Sequence, residues 1–284
     1  MKQILVLLCM LGFLAIGQSQ LRHPKPSPLA KIEQDIGLTT LKIEYSRPAM
    51  RGRSIFGNLV PWGRIWRVGA NSSTKFTAST AIDVLGNRLE AGTYALYAFP
   101  YETYWEVVFH TNTDHWGDGR TEYDPSEDVF RVRIIPQKMS DTQENFLIAF
   151  DQITHDSAQM YWQWEHTRIV IPISVPTREV MEAEIMAKLN DQPNAQTLYE
   201  VARYYQEQDI KHQEALSHVD KAITKGGDTY YFHRVRSLLL ASLGNYDEAI
   251  RSARRSRELA DAQGKDEFVR MNDANIAHWS AKLD

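Results

Sequence analysis

The sequence predicts an α+β protein of two domains, an antiparallel β-sandwich or barrel followed by a short module of α-helical repeats. Three observations lead to this class. Apolar and polar residues alternate with a period of two in short segments between residues 29 and 175. After Pro176 the apolar spacing changes to that of amphipathic helices. Within the helical part a residue pattern recurs at a fixed interval, which is typical of stacked repeats.

The composition is that of a globular protein. The chain has 284 residues, of which 43% are hydrophobic and 24% charged, and this length suits two domains. These values exclude collagen-like and low-complexity chains. The formal net charge of −4 gives no general attraction to nucleic acid, so we expect no nucleic-acid partner.

The N-terminus resembles a secretory signal. Lys2 precedes an apolar run at residues 4–16, and the small residues Gly17 and Ser19 follow it. The run is too short to span a bilayer comfortably. We therefore expect residues 1–19 to be removed, which leaves a periplasmic or secreted protein without a membrane span. The alternative is an N-terminal anchor that is retained.

Cleavage of the signal would also remove Cys9, the only cysteine. The mature chain would then have no disulfide, thiol nucleophile or cysteine-ligated zinc. Residues 20–28 contain three prolines and are expected to form an extended leader. The β domain is predicted over residues 29–176 and the helical-repeat domain over residues 177–284.

Eight or nine short strands are predicted in the β domain, with no helical pattern between them. Leu41, Ile43 and Tyr45 alternate with polar residues along the first clear strand. Gly86-Asn87 is flanked by apolar segments and predicts a tight hairpin. Antiparallel pairing of such strands gives a sandwich or a barrel. The later strands are expected at residues 93–99, 104–110, 130–135, 146–150, 158–164 and 168–175.

The helical domain begins with a predicted helix at residues 177–189 and continues as paired helices. The triplet Glu214-Ala215-Leu216 is followed by the similar triplet Glu248-Ala249-Ile250, and the small residues Ala222 and Ser256 are separated by the same interval. This interval resembles the period of the tetratricopeptide repeat, which is about 34 residues.

Two repeats and one capping helix are expected. The first repeat carries one extra residue near Ile210. Because two repeats are few for independent stability, we expect them to pack on the β domain or on partners. The repeats are predicted at residues 195–225 and 229–262, and the capping helix at residues 266–283.

A basic segment rich in aromatic residues is the most informative stretch of the β domain. Residues 47–75 contain six basic residues and no acid, with Phe56 among the aromatic residues. Arginine and tryptophan together suit a small anionic or sugar ligand. Alternatively, residues 101–128, with eight acids, neutralise this segment within the fold. The ligand-binding candidates are Arg47, Arg53, Trp62, Trp66, Arg67, Asn71, His115 and Trp116.

The best candidate site lies between Arg67 and Asn71. Gly69-Ala70 permits a close backbone approach, and the Asn71 amide both donates and accepts hydrogen bonds. Arg67 would hold a carboxylate or phosphate. In the alternative interpretation, Asn71 caps a tight turn and Arg67 forms an internal salt bridge. Trp62 and Trp66 either seal the end of the sandwich or bind a sugar.

The acidic segment offers two further hypotheses. His115 has carboxylates near it in the sequence and is either an oriented general base or a solvated loop histidine. His110 and His115 give a weak zinc signal. A calcium loop is the other option, although its spacing does not fit an EF-hand. We assign no metal and no cofactor. The oxygen ligands in the calcium hypothesis are Asp114, Asp118, Glu122, Asp124 and Asp128.

Several short phrases of the β domain follow one another in a characteristic order. They are Tyr45-Ser46-Arg47-Pro48, Gly52-Arg53-x-Ile55-Phe56-Gly57, Leu59-Val60-Pro61-Trp62-Gly63, Trp66-Arg67-x-Gly69-Ala70-Asn71, Ala91-Gly92-Thr93-Tyr94 and Trp116-Gly117. In these phrases the chain resembles a bacterial exported family labelled domain of unknown function 2911. The resemblance covers residues 28–175 and implies an extracytoplasmic β-rich domain, sometimes followed by helical repeats. It implies no activity.

One basic helix face is the candidate partner surface of the repeats. Arg251, Arg254 and Arg255 lie on one helix, and Arg251 and Arg255 are one turn apart. These residues would capture an acidic segment of a protein partner. The alternative is a solvated face that neighbouring acids neutralise.

These observations lead to three functional hypotheses. The first is an exported, non-catalytic binding protein, whose β domain binds a small ligand or a neighbouring domain and whose repeats dock a protein partner. The second is a periplasmic, hydrolase-like enzyme centred on Arg67, Asn71 and His115. The third is a structural component of the cell envelope.

Overall fold

The structure is a computed structural model that describes residues 23–117 and 121–283. The chain divides into two compact units on either side of the Thr177–Arg178 bond. The first unit is built from antiparallel strands and the second from helices, as the predicted α+β class requires. No helix in these residues has the length and apolar character needed to cross a membrane. The predicted signal at residues 1–19 lies outside the described residues.

Two antiparallel sheets form the first unit. The six-stranded sheet has the order β1-β2-β3-β6-β7-β8, and the four-stranded sheet has the order β5-β4-β10-β9. The strands are β1 (Leu29–Ile36), β2 (Thr39–Ser46), β3 (Thr74–Ala78), β4 (Ile82–Val84), β5 (Asn87–Leu89), β6 (Gly92–Pro100), β7 (Trp105–His110), β8 (Asp128–Ile134), β9 (Gln137–Asp151) and β10 (Ser157–Ser174).

The predicted hairpin turn lies one residue earlier than expected. Val84 pairs with Asn87, so Leu85 and Gly86 form the turn and Asn87 begins β5. Both turn residues have positive φ angles, 53° at Leu85 and 78° at Gly86. A two-residue turn of this kind follows the natural twist of the flanking strands.

The last two strands are longer than the sequence predicts. The sequence predicts two strands at residues 158–164 and 168–175, but β10 runs through both as one. Its pairing with β9 shifts register on each side of Glu165, which has a φ of 54°. Such bulges interrupt the alternation of side chains, and the interruption imitates a loop in the sequence.

Trp66 lies in the core of the first unit, with an exposed fraction of only 6%. Its ring contacts Trp105 of the six-stranded sheet at 5.9 Å between centroids. It also contacts Phe146 and Trp164 of the four-stranded sheet at 5.0 and 6.1 Å. Trp62 is 39% exposed, so the two tryptophans of the candidate segment do not act as a pair.

Six helices form the second unit, and their buried apolar residues make one cluster. Consecutive helices from α2 to α6 contact one another. Ser256 hydrogen-bonds the carbonyl of Tyr230 over 2.6 Å, which holds α5 close to α4. The helices are α1 (Thr177–Asn190), α2 (Ala195–Glu207), α3 (His212–Thr224), α4 (Tyr230–Ser242), α5 (Tyr246–Asp261) and α6 (Asp266–Ser280).

The helix starts follow the spacing noted in the sequence. His212 and Tyr246, which begin α3 and α5, are separated by the same interval as the two similar triplets. Ala195 and Tyr230, which begin α2 and α4, are one position further apart. The difference lies in the loop between α2 and α3, which contains Ile210. This loop is where the sequence places the extra residue.

Candidate functional site

Residues 66–74 form a tight loop that is bonded to the six-stranded sheet at its start and leads into β3 at its end. The amide and carbonyl groups of Trp66 bond those of Ala98 in β6, each over 2.8 Å. Thr74, the first residue of β3, donates its amide to the carbonyl of Arg67 over 3.2 Å. Its hydroxyl donates to the carbonyl of Val68 over 2.5 Å. The path of the candidate segment is therefore fixed by hydrogen bonds within the chain.

Gly69 and Asn71 allow the backbone of this loop to follow its tight path. A Cβ atom added at Gly69, where φ is 148°, would lie 2.9 Å from the carbonyl oxygen of Ser46. Asn71 has a φ of 64°, a conformation that asparagine tolerates better than most residues. Its amide nitrogen donates to the Ser46 hydroxyl over 3.0 Å. The close approach expected at Gly69 is thus to the chain itself, and these contacts favour the capping role of Asn71.

A cleft of about 260 Å³ opens beside this loop. Its lining includes Trp66, Trp164 and the two arginines Arg53 and Arg67, with no acidic residue. Neither Asn71 nor His115 belongs to this lining. The three residues of the hydrolase hypothesis therefore do not share this cleft.

Two other basic candidates fix loops through backbone carbonyls. Arg47 donates from Nε to the carbonyl of Phe146 over 2.9 Å. Arg53 donates from Nε to Met50 over 2.8 Å and from Nη2 to Ala49 over 2.7 Å. These contacts support the structural interpretation of the basic segment, although Arg53 also lines the cleft.

His115 is buried, with an exposed fraction of 6%, so the interpretation as a solvated loop histidine is wrong. The backbone explains its burial. Ser72 and Trp116 form an isolated antiparallel bridge, and the amide of Gly117 donates to the carbonyl of Asn71 over 3.2 Å. The side chain of Trp116, the remaining aromatic candidate, is 73% exposed.

Lys75 ties the segment before His115 to β3. Its ammonium group donates to the Ser73 hydroxyl over 2.8 Å and to the carbonyl of Thr113. Burial lowers the pKa of Lys75 from its ordinary value, and the nearby carboxylate of Asp114 opposes this shift. The lysine thus holds Thr113, and with it the chain that leads to His115.

The six-stranded sheet is buried on both faces around this region. Tyr97 and Val108 are fully buried in a small cluster separate from the main core, and Tyr123 packs against them. Strand β7 therefore shows no alternation of burial between Val107 and His110. The unbroken apolar run Val107-Val108-Phe109 is the sequence signal that could have indicated a second covered face, and no prediction above rests on it. Tyr97 and Tyr123 were absent from the sequence candidates.

His110 is fully buried on that second face and is held by Asp128. Nδ1 of His110 lies 3.0 Å from Oδ1 of Asp128. Tyr123 donates its hydroxyl to the same carboxylate over 2.7 Å, and Arg131 donates to its Oδ2 over 3.0 Å. Burial, reinforced by the hydrogen bond to Asp128, raises the pKa of Tyr123 well above its ordinary value. Tyr123 therefore stays protonated and remains a donor to Asp128.

His110, His115 and Glu127 place three possible metal ligands together. One ligand atom from each lies within 4.8 Å of the others. Nε2 of His110 and Oε2 of Glu127 are 3.3 Å apart. Glu127 ends a short 3₁₀ turn (Pro125–Glu127), and its carbonyl accepts the amide of Thr111 over 3.0 Å. Sequence reasoning singled out the two histidines but did not single out Glu127.

The calcium hypothesis for the acidic segment receives no support from the described residues. Asp124 caps the 3₁₀ turn by accepting the amide of Ser126, and Asp128 is bonded to Tyr123. Asp118 lies outside the residues that the structure describes. The group of possible metal ligands within residues 23–117 and 121–283 combines two histidines with one carboxylate.

The basic face of α5 is partly neutralised. Arg255 binds Asp228 over 2.6 Å, and Arg251 lies 3.5 Å from Glu248. Hydrogen bonds from Arg255, and then from His233, lower the pKa of Asp228 below its ordinary value. Arg254 is exposed as well.

Comparison with known proteins gives one family. A model described as "Protein of unknown function (DUF2911)" matches residues 27–173, slightly more than half of the chain. No curated protein matches the chain, and no solved structure does.

Replacing Asn71 tests whether this residue supports the loop. We expect Asn71→Ala to lower the free energy of unfolding by about 1–3 kcal/mol, because the buried Ser46 hydroxyl loses its donor and the positive φ loses a favourable residue. Urea unfolding followed by circular dichroism measures this change. Asn58→Ala, at an exposed asparagine, is the matched control and should change little. Equal stability of the two variants would contradict the structural role.

Proposed function

Because the chain belongs to the DUF2911 family, whose description assigns no activity, we propose a function from the chemistry of its own residues. The protein is an exported, non-catalytic binding protein. Its first unit binds a small anionic ligand in the cleft beside Trp66 and Arg67, and its helices dock a protein partner.

The lining of the cleft is the observation that supports ligand binding. Arg53 and Arg67 are its charged groups, and both are cations. Guanidinium groups bind carboxylates and phosphates through paired N–H donors. The exposed side chain of Leu59 adds apolar surface to this lining, together with the buried indole rings of Trp66 and Trp164, and this suits the carbon skeleton of an organic anion or a sugar acid. Because Asn71 and His115 lie outside this lining, we favour binding over the hydrolase alternative.

Titration with small anions tests the cleft. We expect citrate or glucuronate to change the fluorescence of the protein, because Trp66 and Trp164 line the site, whereas glucose should give no change. Arg53→Gln should weaken binding about tenfold or more, since a hydrogen bond to a charged group contributes about 1.5–3 kcal/mol. Arg53→Lys keeps the charge and should recover part of the affinity.

The control for this experiment is Arg88→Gln, which removes an exposed arginine from β5, outside the cleft lining. It should bind anions as the wild type does. The cleft proposal is wrong if no anion binds, or if Arg53→Gln and Arg88→Gln have the same affinity.

We also propose a finer description of each unit. The two sheets are the layers of a β-sandwich, because buried side chains of both sheets contribute to one apolar cluster around Trp66. The helices are tetratricopeptide-like repeats, because α3 and α5 start one repeat period apart and small residues lie at their close contacts.

The partner surface that we propose comprises Arg251, Arg254 and Arg255 on α5. All three are exposed, and the ion pairs of Arg251 and Arg255 lie at the surface. Such pairs contribute little to stability, so an acidic partner segment can replace Glu248 and Asp228 at low cost.

Charge reversal tests this surface. We expect Arg251→Glu combined with Arg255→Glu to abolish retention of an envelope protein that the wild type captures, because an acidic segment would meet negative charge. Quantitative mass spectrometry of captured proteins is the measurement. Arg270→Glu, at an exposed arginine of α6, is the control and should capture the same protein. Unchanged capture by the double variant would reject the surface.

Export is the remaining part of the proposal. It is supported by the apolar run and the small residues in the first 19 positions of the sequence. We expect the mature chain to begin after Ser19 and to fractionate with the periplasm or the medium. Intact-mass measurement of the protein from each cell fraction tests this, and a full-length chain in the cytoplasm would contradict it.

A further inference from the structure

We propose that His110, His115 and Glu127 form a binding site for Zn²⁺ on the second buried face of the six-stranded sheet. The site goes beyond the anion cleft, with which it shares no residue. Its donors come from the end of β7, from the segment bridged to Ser72 and from the 3₁₀ turn before β8. Three separate parts of the chain thus deliver one ligand each.

The distances suit a zinc ion. Two ligand atoms about 2.0–2.1 Å from zinc at a tetrahedral angle lie about 3.3 Å from each other. Nε2 of His110 and Oε2 of Glu127 are 3.3 Å apart. The ligand atoms of all three residues lie within 4.8 Å of one another, so a movement of up to about 1.5 Å by His115 completes the set.

An unsatisfied nitrogen points into this group. Nε2 of His110 is buried and has no hydrogen-bond partner among the described residues. Its ring nitrogen Nδ1 faces a carboxylate oxygen of Asp128, which leaves Nε2 as the ring nitrogen available to a metal ion. A carboxylate oxygen of Glu127 faces this nitrogen at 3.3 Å, and a metal cation placed between the two atoms would be bound by both.

Neighbouring polar side chains orient the rings of His110 and His115 through hydrogen bonds, as is common for histidines that bind a metal. A carboxylate that accepts the second N–H of a ligating histidine fixes the ring and makes it more basic. Asp128 does this for His110 and is itself bonded by Tyr123 and Arg131. The Tyr97 hydroxyl contacts Nδ1 of His115 over 3.0 Å.

The donor set favours zinc over the calcium considered from the sequence. Imidazole nitrogen suits zinc and other transition metals, whereas calcium takes six to eight oxygen ligands. Two histidines and one glutamate leave a fourth position for water, as in zinc sites with three protein ligands. The Glu127 side chain is 37% exposed, which gives an ion access from solvent.

Zinc titration of the purified full chain tests the site. The protein carries a cleavable affinity tag without histidines and is first stripped with a chelator. We expect one Zn²⁺ per chain, measured by competition with a chromophoric chelator, and a higher thermal midpoint with zinc bound. Co²⁺ in place of zinc should give the visible absorption of a low-coordinate site.

Substitutions locate the ion. His115→Gln and Glu127→Gln should each weaken zinc binding at least tenfold, and Asp128→Asn should weaken it about 10–100-fold by releasing His110. The matched controls are His278→Gln and Glu102→Gln, at exposed positions outside the group, and they should bind zinc as the wild type does.

Two results would overturn the proposal. One is a folded wild-type chain that takes up no stoichiometric zinc. The other is wild-type affinity in both His115→Gln and Glu127→Gln, which would assign the bound zinc to another place. Glu127→Gln is nearly isosteric at a partly exposed side chain, so circular dichroism should show a folded variant. Neither result bears on the anion cleft, which is tested separately.

Discussion

The position of Trp66 is the constraint on which the first unit depends. Its backbone is bonded to Ala98 in the six-stranded sheet, while its ring packs against Phe146 and Trp164 of the other sheet. The loop that follows returns to β3 within a few residues and carries Ser72, whose bridge to Trp116 buries His115. The packing of Trp66 in the core therefore fixes the loop that places His115 on the other face of the six-stranded sheet.

The polar groups on the second buried face of the six-stranded sheet satisfy one another through hydrogen bonds. A buried carboxylate is costly unless it is paired and hydrogen-bonded, and Asp128 meets this condition through His110, Tyr123 and Arg131. The cation of Arg131 also lies 3.2 Å from Glu106, so charge is balanced across neighbouring strands. Within this network Nε2 of His110 stands apart, because it has no hydrogen-bond partner among the described residues and faces a carboxylate oxygen of Glu127.

Local patterns predicted most elements of the fold, because periods of two and of 3.6 residues are visible over a few positions. The sequence predicts the hairpin turn at Gly86-Asn87, one residue after its position at Leu85-Gly86 in the structure. The bulges on each side of Glu165 interrupt the alternation of side chains, so the sequence predicts two strands where the structure has one. The polar group was harder to predict. His110 and His115 are close in sequence, but Glu127 is one acid among eight between residues 101 and 128, and only strand pairing decides which of them meets His110.

The turn between β1 and β2 is closed by the last residue of the first unit. The amide of Leu38 donates to the hydroxyl of Thr177, 139 residues further on, and Gly37 leaves no room for a Cβ atom beside Thr177 and His155. During synthesis, the hairpin of β1 and β2 leaves the ribosome long before these contacts exist. Because contacts between distant parts of a chain slow folding, this turn stays open to solvent until β10 and Thr177 have been made.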